Sequence, residues 1–363
     1  MLLRHICKEL PSITTAIEKA IVSTESKLNT LGNPREKPKE QRLYLHKGAE
    51  NFLRRTDNAL KGIYSDTFFA LSAHSGGHAT RLRTKIQNLN IAFTAVMYSK
   101  GHTWEFSDDP EQVQAALNIP NELIDQEYDA AFDQPQYVTR ARFLETTIGE
   151  FVKDSRPPGL PSLVNPWVIG EVFREQSVLW GEIAMFHLRK AFEAVKECIC
   201  LALESLLDAQ TFKLLMQEHI DPVLDRKWQN LKAKLKELLT PYQVHEPTTY
   251  DPSFISMLNK TQSKRYAEAS GEGIRGQLDA FRRNSSSSRH LLTESIDDYT
   301  NIEILDMMET YYKVSLPTIG IPFNANPCRN RSLYLYKMLL CLLSRMALLQ
   351  VSKMFFRRRL FWA

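Results

Sequence analysis

Three histidines, His74, His78 and His102, lie in polar sequence, and the glycine pair Gly76-Gly77 stands shortly before Arg81 and Arg83. Histidines so grouped have the chemistry to approach a metal, and a glycine pair ahead of basic residues has the outline of a phosphate loop. The surrounding residues support neither. The glycine pair lacks the glycine-lysine-serine/threonine ending that sets a lysine on phosphates. Histidines in polar loop sequence are more often solvated than ligating, so no metal is expected. Asp108-Asp109 and Asp297-Asp298 are carboxylate pairs at helix starts, where the helix dipole favours negative charge without any acid–base role. The chain contains no Walker motif, G-x-S-x-G, H-E-x-x-H or C-x-x-C. Its cysteines, Cys7, Cys198, Cys200, Cys328 and Cys341, are odd in number and scattered, a pattern that fits reduced thiols in the cytosol. No catalytic residue and no cofactor or metal site is expected.

Composition bounds what remains. With 363 residues and 43% apolar side chains the chain can bury a sizeable core, as two average domains or one elongated one. Arg4, Lys8 and Glu9 interrupt the first residues, so no signal-peptide core is expected. The net charge of +4 conceals an asymmetry. From Pro317 onward there are eight basic residues and no acid. Removing those eight from the total of 46 leaves 38 against 42 acids in residues 1–316, a net of −4. The basic tail has one tight cluster and no recognisable module, so nucleic acid is not an expected partner.

The elements that would position any of these residues read as helices. A heptad-like register (Leu3, Leu10, Ile17 and Leu31, with Ile6, Ile13 and Ala20) predicts a first helix, kinked at Pro11 and ending at Gly32. Further helices are expected over Arg42–Leu71, from Arg81 through Met97, after Asp109-Pro110 as far as Leu117, and over Val138–Lys153. The stretch from Phe143 to Leu203 organises the chain. It holds the break Pro157-Pro158-Gly159-Leu160-Pro161, and after Asn165-Pro166 come Ile169, Val172, Phe173, Leu179, Trp180, Ile183, Ala184, Leu188, Ala191, Val195 and Cys198. Spacings of mostly three or four put these on one continuous face of a helix reaching Leu207. The run resumes from Phe212 to Leu239, with Asp221-Pro222 as a turn or kink and Pro241 as a stop. Periodicity returns at Ile296, Tyr299, Ile302, Leu305, Met308 and Tyr312 and is expected to break at Pro317.

Several of these segments resemble one family. Ser155-Arg156, Leu160-Pro161, Asn165-Pro166, Ile169-Gly170-Glu171, the run Phe173-Arg174-Glu175-Gln176-Ser177 and Trp180 are similar to the middle part of the dynamin superfamily stalk, particularly its fungal branch. His5-Ile6, Lys8 to Pro11, Leu31-Gly32 and Pro34-Arg35 resemble the opening of such a stalk. Pro247 to Phe254 is similar to its threonine-tyrosine element, with Asp251 where asparagine is frequent. Asp306 to Leu316 resembles the start of the GTPase effector helix, so the likeness spans residues 1–316.

The resemblance implies an all-α fold, an elongated antiparallel helical bundle of dynamin-stalk type. Its parts are middle-domain helices over 1–258, a flexible loop over 259–294, the effector-helix start over 295–316 and a divergent basic tail over 317–363. It implies self-assembly, or association with full-length dynamin-like GTPases, in membrane remodelling and organelle fission. By family position, Arg81, Arg83, Arg156 and Gln176 are the assembly candidates. The family's GTPase domain precedes the stalk, so this chain is expected neither to bind nor to hydrolyse GTP unless an upstream or partner domain supplies the site.

The tail admits two readings. Its apolar run from Tyr334 to Phe356 is interrupted by Lys337, Arg345 and Lys353, which excludes a charge-free span of roughly 18 residues. Beside Arg357, Arg358 and Arg359, it has the composition of an interfacial helix on anionic lipid, which would seat a cytoplasmic protein peripherally on membranes. The same abrupt change fits sequence translated from a retained intron or a shifted frame.

Overall fold

The computed structural model describes residues 14–26, 37–70, 79–106, 126–155, 165–265 and 288–320. Helices dominate them. Helix α1 covers 14–26 and α2 covers Pro38–Lys61, with Pro38 in its first turn and the Glu40 carboxylate accepting from the Lys37 N–H. The helix expected to reach Leu71 stops ten residues earlier, because Gly62 takes φ 76° and the next amide, that of Ile63, bonds back to the Asn58 carbonyl. A single turn, α3 (Thr67–Ala70), follows, and then α4 (Leu82–Lys100).

Strand β1 (Trp104–Phe106), helix α5 (Gln126–Ala130) and strand β2 (Gln136–Val138) come next. The two strands pair in parallel with Trp104 opposite Gln136, a feature that helical periodicity did not predict. Helix α6 comprises Arg140–Phe143, a π-helical turn over Leu144–Ile148, and Gly149–Asp154.

The organising stretch forms two helices instead of one. Helix α7 (Pro166–Gln176) starts on an Asn165 cap, whose side-chain oxygen accepts from the Trp167 N–H at 3.1 Å. It ends at Ser177, whose hydroxyl bonds the Phe173 carbonyl, and α8 (Trp180–Glu204) begins three residues later. The apolar stripe survives this break, since every predicted face residue from Ile169 to Cys198 is buried except the half-buried Leu179.

Helix α9 runs through Ala209–Leu215, a π-helical turn over Met216–Ile220, and Asp221–Gln243. The expected kink at Pro222 is absorbed by that wide turn, which lies where the proline ring would meet the carbonyl of residue 218. Pro241 sits inside the last turns of α9 and Pro317 inside α11, so each helix runs a few residues past its expected stop. Helix α10 occupies 252–265, within a region expected in part to be flexible, and α11 spans Ser288–Gly320.

One apolar core joins α2, α4, α6, α7, α8, α9 and α11. Helix α8 lies at its centre. Phe93 of α4 stacks on His187 at 4.4 Å, Trp228 of α9 meets Phe192 at 5.1 Å, and Tyr312 of α11 meets Trp180 at 5.1 Å. Tyr44 of α2 donates to Asp208, the cap of α9. Helix α1 stays apart, with Ile17, Ala20, Ile21 and Val22 exposed. Its heptad stripe is a narrow seam rather than the broad face that a core helix buries.

Candidate functional site

Among the sequence candidates, Gln176 has the fullest set of contacts within the chain. It is buried at the end of α7, and its amide clasps strand β1: Nε2 donates to the Trp104 carbonyl at 2.8 Å and Oε1 accepts from the Trp104 N–H at 3.0 Å. Thr103 adds two bonds, its N–H to the Gln176 carbonyl and its hydroxyl to the Glu175 carbonyl. Gln176, an assembly candidate by family position, is thus engaged within the chain through both ends of its amide. The side chain replaces ladder partners that a three-residue strand could not otherwise find.

Arg81 and Arg83 flank the start of α4 and differ in exposure. Arg81 is half-buried over the Tyr64 ring, its guanidinium carbon 5.5 Å from the ring centre. Arg83 is exposed and donates to the Leu60 carbonyl beside Gly62 at 3.4 Å. Of the two, only Arg83 presents its charge openly to solvent. Arg156, Arg357, Arg358 and Arg359 lie outside the described residues, as do His74 and His78. His102 is buried, bonded to the Glu105 carboxylate and edge-on to Tyr312. No cluster of three or more His, Cys, Asp or Glu suited to a metal occurs among the described residues. Burial pushes the Cys198 thiol up to about 12, which keeps it protonated and unreactive.

The strongest electrostatic arrangement was not anticipated. Asp306 of α11 is 1% exposed, with one carboxylate oxygen 2.7 Å from Arg140 of α6 and the other bonded to Arg265 at the end of α10. Arg140 also holds Glu309 at 2.8 Å, and Lys313 reaches Glu309 at 3.3 Å. Burial pushes the Asp306 carboxyl up, outweighing the pull of Arg265 and then Arg140. Three segments distant in sequence are thus locked through one carboxylate. A sequence clue existed, a charged residue beside Leu305 on an otherwise apolar run, but its partners stand 41 and 166 residues away.

A second polar contact forms at the half-buried His187. Its Nδ1 is 2.7 Å from the Tyr128 hydroxyl, while Phe93 stacks on the ring, and burial pushes it down to about 4. The neutral imidazole joins α5 to the core.

An aromatic cluster closes the end of the core. Phe173 meets Tyr311 at 4.8 Å, Trp180 meets Tyr242 at 5.7 Å, and the Trp180 indole N–H donates to the Tyr312 hydroxyl at 3.2 Å. No helix among the described residues is long and apolar enough to cross a membrane. In comparisons with known proteins, no family model, curated protein or solved structure matches this chain.

Proposed function

We propose that this chain is an assembly module of the dynamin-stalk kind, an elongated antiparallel bundle that self-associates or joins full-length dynamin-like GTPases in membrane remodelling, without hydrolysing GTP itself. One observation carries the reading. Two stretches that resemble dynamin stalks specifically, around Phe173 and Trp180 and around Asp306 to Leu316, lie far apart in the chain yet pack on each other. Phe173 contacts Tyr311, and Trp180 bonds Tyr312 across 132 residues. A stalk built from a middle part and an effector helix needs this contact, and its presence supports the reading.

Exposed basic groups would carry the association, Arg83 on the described surface and Arg156 by family position. Sedimentation velocity over a concentration series tests this. The sedimentation coefficient should rise with concentration, and Arg83→Glu or Arg156→Ala should suppress the rise. A monomer at every concentration, unchanged by Arg156→Ala, counts against assembly.

A further inference from the structure

No residue from 243 to 265 is buried, although this stretch includes the whole of α10 as described. Of the large apolar side chains on α10, Phe254 and Leu258 stand one turn apart and are half-buried, with Phe254 packed against the core. Ile255 and Met257 are exposed, at 58% and 36%. A helix of this length is marginal on its own in water, and so narrow an apolar contact adds little to it.

Polar contacts tie the segment to α11 at both ends. Ahead of α10, Tyr311 hydrogen-bonds the Thr248 backbone. At the far end, Arg265 bonds one Asp306 oxygen, and its guanidinium carbon lies 6.0 Å from the centre of the Tyr299 ring. Asp306 and Tyr311 are only five residues apart in α11, so one stretch of that helix holds both ends of the segment.

The Asp306 clasp is ionic and shared. The charged groups around Asp306 are Arg265 from α10, Arg140 from α6 and Glu309 on α11 itself. Arg140 also holds Glu309, so α6 stays joined to α11 when Arg265 lets go. Burial pushes the Asp306 carboxyl up. Withdrawing Arg265 lets water reach the oxygen it covers, so hydration offsets part of the lost ionic contact.

We propose that α10 is a strap on α11 that opens as a unit at the Arg265–Asp306 clasp while the other helices stay packed, and that loss of the Asp306 charge releases it. Opening turns a carboxylate that is 1% exposed into an accessible one. This does not depend on the dynamin reading.

Native-state hydrogen exchange of the full chain, followed by mass spectrometry over a series of sub-denaturing urea concentrations, tests it. In the unaltered protein the amides of residues 254–264 should exchange through an opening that responds weakly to urea, because it exposes little surface, while those of α8 respond strongly. Arg265→Met should speed exchange across α10 by about a hundredfold, the ratio that follows from breaking a buried ion pair, with α8 still the slower of the two. Asp306→Asn, which mimics the uncharged carboxyl, should speed it as well. Glu309→Gln removes a contact that the open and closed forms share, and should leave α10 exchange unchanged. An α10 that exchanges with the urea dependence of α8 opens only when the whole protein unfolds, and overturns the proposal. So does exchange across α10 that is indifferent to Arg265→Met and Asp306→Asn, or that Glu309→Gln speeds as much as they do.

Discussion

The half-buried His187 and the buried Asp306 show how a single polar group packed against the core can set the conditions under which that core holds. For His187, the folded protein keeps the imidazole neutral down to about pH 4, whereas an unfolded chain protonates it near its ordinary value of 6.5. As pH falls through that window the unfolded state takes up the proton first. The stabilisation is therefore complete above about pH 6.5 and is lost progressively toward pH 4, amounting to about 2–3 kcal/mol. Urea unfolding at stepped pH should record this slope, and His187→Gln, which can still accept from Tyr128, should flatten it. At Asp306 the loss of a partner is the sensitive change. Arg265→Met leaves a carboxylate that is 1% exposed with one guanidinium fewer, and should cost about 3 kcal/mol. Adding Asp306→Asn to that variant should recover part of the loss, because the stranded charge is removed along with its partner. A double-mutant cycle by chemical denaturation measures both.

The apolar face shared by α7 and α8 was legible in the sequence because it repeats at the helical period, and its residues are buried apart from the half-buried Leu179, whereas the break between the two helices was not legible. What escaped was held by single residues or by partners distant in the chain. Gly62 ends α2 through one left-handed backbone angle that no periodicity announces. Gly62→Ala should cost about 1–2 kcal/mol from the forced φ. The new Cβ would also meet the Arg83 side chain at 3.0 Å, and a lowered melting temperature should register the sum. Strands β1 and β2 are too short to show alternation, and they depend on Gln176, an α7 residue read from sequence as a surface contact. Gln176→Leu keeps the volume but leaves the Trp104 N–H and carbonyl without that clasp. The expected cost is about 1–3 kcal/mol, with faster hydrogen exchange at residues 103–106. The Asp306 lock was equally out of reach, since it arises where remote segments meet.

Across the whole molecule, the acidic body and basic tail give a charge distribution that the net value hides. The proposed function predicts that purified protein releases no phosphate from GTP above buffer, and a released-phosphate assay decides it. The packing order along the chain has a consequence for synthesis. Phe173 and Trp180 are translated early, and the Tyr312 that bonds Trp180 is translated 132 residues later. At 5–20 residues per second the ribosome takes roughly 7 to 26 s to cover that distance. During that interval the aromatic end of α7 and α8 emerges into the cell without its cover, so nascent chains arrested before α11 are the species for which chaperones and aggregation compete.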